Sequence, residues 1–292
     1  MPHLTDLVAS RQGRPFHTLE FFPPRTEAGF VNLLDRINRL SSGPLPPPLA
    51  ISVTWGAGGS TADRTMELAE QAVKLGLTVI LHLTCTNMPK EKVDQALQVG
   101  SFMTHGLRHE QADMQRAKDI GIQNVLALRG DPPRSEEYAT TLDPEPDFFQ
   151  HADDLVEYIR KQYDDFFCIG VAGYPTPHVD SASPEDDLHW LKVKCDAGAD
   201  FIITQLFYDV EGFETWVKAC RDFGASIMEM DPVELMAGIT QPIIPGVMPI
   251  QNFASFRRLA NLTKCEVPEK IMQDLEPIKV SLKRLSSELA CH

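Results

Sequence analysis

The feature that most constrains this chain is a rhythm. Seven short apolar or β-branched runs alternate with longer stretches of helical spacing. The runs are Thr18 to Phe22, Leu49 to Thr54, Thr78 to Thr84, Asn124 to Leu128, Phe166 to Ala172, Phe201 to Leu206 and Pro242 to Val247. After the first run, Phe30, Leu33, Leu34, Ile37 and Leu40 recur at three- and four-residue intervals, which is the signature of one helical face. Pro44 to Pro48 breaks that helix. Further helices are predicted over 62–75, 151–163, 183–197, 210–222 and 253–262, with Ser183 as the N-cap before Pro184. Strand–helix units in tandem predict a parallel sheet with right-handed crossovers.

Two architectures satisfy that rhythm: an open doubly wound sheet and a closed barrel. Polar residues sit at the C-terminal ends of nearly every strand: Glu20, Thr54, His82, Asp131, Tyr174 and Gln205. A barrel gathers all its strand ends in one mouth, whereas an open sheet concentrates chemistry at one switch point. No GxGxxG opens a helix after the first strand. The expected fold is therefore α/β, a (β/α)8 barrel of the TIM type, forming a single domain over 1–292. Two segments, 99–115 and 225–238, lengthen connections in the manner of insertions.

The composition narrows the class of function. With 292 residues, 43% of them hydrophobic, the chain can bury a large core. A formal net charge of −14 argues against nucleic-acid binding but allows a local basic pocket. No apolar run approaches the ~20 residues of a membrane span. Met1 to Pro15 lacks the apolar middle of a secretory signal. Six cysteines are scattered with no CxxC pair, so reduced thiols in a cytoplasmic protein are expected, and no metal site.

Several residues carry the vocabulary of chemistry. Glu20 stands among apolar and aromatic neighbours, which raises a carboxyl's pKa and suits it to give up a proton; pairing with Arg25 is the alternative. Thr54, Trp55 and the Gly-rich turn through Ala57 offer a hydroxyl, an indole and close backbone approach, or simply a helix-entry turn with a core Trp. His82 interrupts an apolar strand, as a core histidine or a ligand contact. Arg129, Gly130 and Asp131 cluster at one strand end, either as a site or as a local ion pair. Tyr174 and His178 lie in a loop of small residues. Asp187, Leu191 and Lys194 share one helix face. Gln205 closes an apolar strand with an amide that both donates and accepts.

Taken in order, these motifs resemble the methylenetetrahydrofolate reductases, from about Phe16 to Lys279. The matching stretches are EFFPPR at 20–25, SVTWGAGGS at 52–60, HLTC at 82–85, ALRGDPP at 127–133, VAGYP at 171–175, DAGADFIITQLF at 196–207 and IIPGVMPI at 243–250. The resemblance implies a flavoprotein with FAD in a barrel, reduced by NADPH or NADH, that converts 5,10-methylenetetrahydrofolate to 5-methyltetrahydrofolate for methionine synthesis by ping-pong turnover. It makes Glu20 the general acid that opens the folate ring. Asp131 is placed between flavin and folate, Gln205 against the substrate, and Thr54 against the nicotinamide cofactor. FAD falls to Trp55, Ala57, His82, Arg129, Gly130, Asp131, Ala152, Tyr174, His178, Asp187 and Lys194. The Trp-Gly start at Trp55 resembles eukaryotic members and favours NADPH. The partners implied are a reduced folate and, for a family of this kind, a homo-oligomer, with no nucleic acid and no membrane.

The chain departs from the family at its end. A motif like HFYTLN marks the family's eighth strand, and this sequence has none; Val280 to His292 reads instead as a short amphipathic helix. A barrel lacking its eighth strand has unpaired edges. The large regulatory region of eukaryotic members is also missing, so no regulatory domain is expected. The competing expectation is an inactive or truncated flavin- or folate-binding relative.

Overall fold

A computed structural model describes residues 1–44, 46–55, 62–85, 120–130, 149, 151–178, 181–223, 238–263 and 265–278. The proposed insertion 99–115, all of 225–238 except Gly238, the turn 56–59, Asp131 and the C-terminal helix at 280–292 lie outside them.

The elements run α1 (Leu4–Ser10), β1 (Thr18–Phe21), α2 (Glu27–Ser42), β2 (Ala50–Val53), α3 (Ala62–Lys74), β3 (Val79–Thr84), β4 (Asn124–Leu128), α4 (Ala152–Tyr163), β5 (Cys168–Gly173), α5 (Pro184–Asp196), β6 (Phe201–Thr204), α6 (Val210–Asp222), β7 (Ile243–Ile244), α7 (Phe253–Thr263) and α8 (Glu269–Leu275). The seven strands form one sheet in the order β1-β2-β3-β4-β5-β6-β7. Strand order that follows the sequence with no reversal is the wiring of a (β/α) barrel; a doubly wound sheet reverses at its switch point. The fold is thus of the barrel type, and no eighth strand lies among the described residues. None of the described helices is long and apolar enough to cross a membrane.

The chain divides into two compact units, Met1–Val171 with Asp196–Phe201, and Ala172–Cys195 with Ile202–His292. In the first unit the parallel register pairs Glu20 with Ser52, Ile80 with Asn124, His82 with Leu126 and Thr84 with Leu128. Alternate residues of a strand point to opposite faces, so the two faces can be read off. One face is wholly apolar: Leu19, Phe21, Ile51, Val53, Val79, Leu81, Leu83, Val125 and Ala127. Against a face of this kind pack amphipathic helices, and α3 buries Met66, Leu68, Ala69 and Ala72. Each fully buried Leu or Ile contributes roughly 1.5–3 kcal/mol relative to exposure. The other face carries Glu20, Ser52, His82, Thr84 and Asn124.

Helix starts follow local chemistry. Thr26 caps α2 by accepting from the Gly29 N–H at 3.1 Å. The first turn of α4 is tied by Asp154, whose carboxylate accepts from the His151 N–H at 3.0 Å. In the second unit Ser183 caps α5, its Oγ accepting from the Asp186 N–H at 3.1 Å as the sequence predicts. Asp209 caps α6 through the Gly212 N–H at 3.0 Å.

Candidate functional site

In the first unit the polar groups collect where the strands end. Glu20 is the third residue of β1 and is exposed to solvent. Even so, desolvation by the protein around it raises its pKa above the ordinary glutamate value. The carboxyl is thus reachable by solvent while the protein around it disfavours its charged form. The Arg25 alternative does not hold: no ion pair joins Glu20 to Arg25 or to any other described residue.

Thr54 follows β2 directly. Its N–H donates to the Phe21 carbonyl at 3.1 Å, continuing the ladder. Its own carbonyl accepts from the Thr65 hydroxyl at 2.9 Å, which fixes the strand end to α3. Trp55 is 6% exposed, and its indole Nε1 is buried without a hydrogen-bond partner among the described residues.

His82 is buried in β3, and its Nε2 also lacks a partner among the described residues. Burial lowers its pKa to about 4, so the ring is neutral at physiological pH. A neutral imidazole can offer one donor and one acceptor, which suits a flat polar ligand better than an anion. Two residues on, the buried Thr84 hydroxyl is likewise unpaired. Buried polar groups are usually satisfied, so several orphans at adjacent strand ends point to a ligand that completes them.

Arg129 and Gly130 follow β4. Gly130 has φ 86°, a left-handed conformation that favours glycine. A Cβ at Gly130 would come within 2.9 Å of Thr84 Cβ. The backbone therefore passes flush against β3. Cys85 is no nucleophile: its Sγ donates to the His151 carbonyl at 3.5 Å, and desolvation pushes its pKa up to about 12. Ala152 opens α4 just after that carbonyl.

The second unit holds a separate cluster. The Tyr174 and His178 rings meet edge-on with centroids 4.9 Å apart. Asp187 accepts from the His178 N–H at 3.1 Å, and desolvation raises its pKa. Lys194 donates from Nζ to the Ala172 carbonyl at 2.7 Å and lies 5.7 Å from the Tyr174 ring centroid. Asp187 and Lys194 are thus tied to the loop that follows β5, more than the solvated helix-surface pair their spacing alone allows.

The structure therefore assembles Tyr174, His178, Asp187 and Lys194 in one place, and Glu20, Thr54, His82, Arg129 and Gly130 along the strand ends of the first unit. Gln205 is exposed at the end of β6; its N–H donates to the Gly173 carbonyl at 2.8 Å, beside Tyr174, and its Oε1 accepts from the Leu206 N–H at 2.9 Å. Ala57 and Asp131 lie outside the described residues. Sequence reasoning passes over Thr84 and Ser52. The signal was present in the polar–apolar–polar alternation of His82, Leu83 and Thr84.

Comparison with known proteins identifies the family. The family model described as methylenetetrahydrofolate reductase matches residues 4–110 and 103–285. A rice protein named probable methylenetetrahydrofolate reductase (NADH) is 42% identical over 281 residues, 93% of this chain and 41% of its own length. This chain thus spans about two fifths of that relative. A 5,10-methylenetetrahydrofolate reductase of Pectobacterium carotovorum is 33% identical over 266 residues, which cover 91% of this chain and 74% of the bacterial protein. Among solved structures, an uncharacterized protein from Clostridium thermocellum, described as binding two copies of 5-methyl-5,6,7,8-tetrahydrofolic acid, matches with a TM-score of 0.57 at 15% identity. That match covers 97% of this chain and 86% of the other, and at such identity it speaks for the fold. With the family model running through both units, and a short bacterial relative covered for most of its length, this chain belongs to the methylenetetrahydrofolate reductase family.

Proposed function

We propose that this chain reduces 5,10-methylenetetrahydrofolate to 5-methyltetrahydrofolate, using FAD and a reduced nicotinamide dinucleotide, NADPH or NADH. Family membership supports the reaction class. The observation that carries the mechanism is Glu20, a carboxyl on the polar face of β1 with a raised pKa and no ion-pair partner among the described residues.

The residues fit a flavin. Trp55 Nε1 and His82 Nε2 are buried polar atoms without partners among the described residues, and Gly130 lets its backbone pass flush against Thr84 at the end of β3. We assign Trp55, His82, Arg129, Gly130 and Ala152 of the first unit to FAD, with Ala57 and Asp131 by family resemblance. In the second unit, Tyr174, His178, Asp187 and Lys194 form a preassembled aromatic and charged cluster of the kind that suits a ribose or a pyrophosphate. When bound, FAD supplies a ring that accepts hydride from the nicotinamide and passes it to the folate.

The chain's own residues do the rest. Methylenetetrahydrofolate accepts hydride only after its five-membered ring opens, and the leaving nitrogen needs a proton. Glu20 holds that proton on its carboxyl, because desolvation keeps it protonated at higher pH than an ordinary glutamate. Thr54, whose backbone is anchored by the Phe21 carbonyl and the Thr65 hydroxyl, is assigned to the nicotinamide cofactor by resemblance. Asp131 and Gln205 are assigned to the folate by resemblance. Buried free thiols at Cys85, Cys168, Cys195, Cys220 and Cys265 support a cytosolic setting.

Absorption spectroscopy under anaerobic conditions tests the reading. Protein reconstituted with FAD should bleach with NADPH or NADH and regain its colour with methylenetetrahydrofolate. Failure of the folate to restore the colour would refute the proposed activity.

A further inference from the structure

Thr84 ends β3 two residues beyond His82 and on the same face. Its side chain is 6% exposed, and its Oγ1 has no hydrogen-bond partner among the described residues. The carbon side of this residue is in use. A Cβ at Gly130 would lie 2.9 Å from Thr84 Cβ and 3.1 Å from Cγ2, but 3.6 Å from Oγ1. Thr84 therefore packs chiefly its carbon atoms against the Gly130 backbone. Valine has the same branched shape and would pack there without burying an unpaired hydroxyl, which costs stability. His82 Nε2 on the same strand and Trp55 Nε1 after the neighbouring strand are unpaired in the same way.

We propose that the Thr84 hydroxyl is a further contact of the flavin site, hydrogen-bonded to bound FAD, while its methyl group positions Gly130. The proposal rests on the flavin reading above. It adds a residue that the family motifs do not assign and gives HLTC a second working side chain beside His82.

The test is a titration of FAD into the purified wild-type protein, Thr84→Val and Thr84→Ser, read by quenching of flavin fluorescence. Thermal melts of the FAD-free proteins accompany it. Thr84→Val should bind FAD about tenfold more weakly, the loss of roughly one hydrogen bond, while the FAD-free form melts at or above the wild-type temperature. Thr84→Ser keeps the hydroxyl and loses the methyl group, so it should bind FAD more tightly than Thr84→Val and melt below the wild type. Wild-type affinity in Thr84→Val would overturn the proposal and leave the flavin reading standing. So would a much lower melting temperature of FAD-free Thr84→Val, since the hydroxyl would then serve the fold. A wild-type protein that binds no FAD would overturn both.

Discussion

The two ends of one sheet face in the first unit are treated in opposite ways. At the N-terminal end, buried polar groups meet partners from the chain's first residues. Asn124 opens β4 fully buried; its Oδ1 accepts from the Leu4 N–H at 2.7 Å and its Nδ2 donates to the Pro2 carbonyl at 3.2 Å. Beside it, Thr5 Oγ1 and Cys168 Sγ lie 3.7 Å apart, and His3 Nε2 lies 3.1 Å from the Phe166 carbonyl. The chain's own N-terminal segment seals that end. At the C-terminal end, His82 Nε2 and Thr84 Oγ1 are buried with no partner among the described residues, and Glu20 carries a raised pKa with no ion-pair partner among them. Asn124, His82 and Thr84 stand on one face of the sheet and are buried at both ends, so burial alone does not explain the difference. One end is finished by the fold, and the other is built to be finished by a ligand.

The sharpest way to break this contrast is Glu20→Gln. It keeps the shape and removes the proton. Folate reduction should fall at least about a hundredfold, while flavin reduction by NADPH or NADH stays near the wild-type rate, as stopped-flow measurement of each half-reaction would read. In the wild-type protein the folate step should slow as pH rises through the elevated Glu20 pKa, because the carboxyl then loses the proton it must donate. Equal loss in both half-reactions would remove Glu20 from the proton-donor role.

Asn124→Ala tests the sealed end. It leaves the Leu4 N–H and the Pro2 carbonyl without their partner, so urea unfolding should show a loss of about 2–4 kcal/mol. FAD affinity of the folded protein should not change. A variant as stable as wild type would mean that the N-terminal segment does not seal the sheet.

A smaller effect concerns His82. Its pKa in the folded protein, about 4, lies below the ordinary 6.5, so between those values the folded state binds fewer protons than the unfolded chain. Stability is then complete above about pH 6.5 and falls as pH drops toward 4, by at most about 1.4 kcal/mol per pH unit. His82→Leu should flatten that dependence in denaturant titrations at stepped pH. An unchanged slope would show that other groups set it.

Much of the fold is legible from sequence, and the failures have physical causes. β4 and α6 form over the predicted residues, 124–128 and 210–222, because each has a clear boundary, such as the Asp209 cap of α6. β7 shrinks from the predicted 242–247 to Ile243–Ile244, since Pro242 and Pro245 flank it and cannot donate to a ladder. α1 and α8 escape notice because seven residues hold too few turns to show a period, and α1 depends on burying Leu4 against the sheet. The same contrast holds in the site. Glu20 and His82 announce themselves as polar residues inside apolar runs. Thr84 does not, because threonine is an ordinary strand former, and only three dimensions reveal that its hydroxyl has no partner. Gln205 closes β6 as its place in the sequence predicts, and its amide oxygen also accepts from the next residue's N–H, a local bond that no sequence pattern announces.

The most direct test of the contrast is the FAD dissociation constant of two single variants, one at each end of the same face. His82→Leu should weaken FAD binding about tenfold, the loss of one hydrogen bond to the ligand, and Thr5→Val should leave it at the wild-type value. Equal affinities in both variants, or weakening in Thr5→Val alone, would contradict the claim that the C-terminal end of this face is built for the flavin.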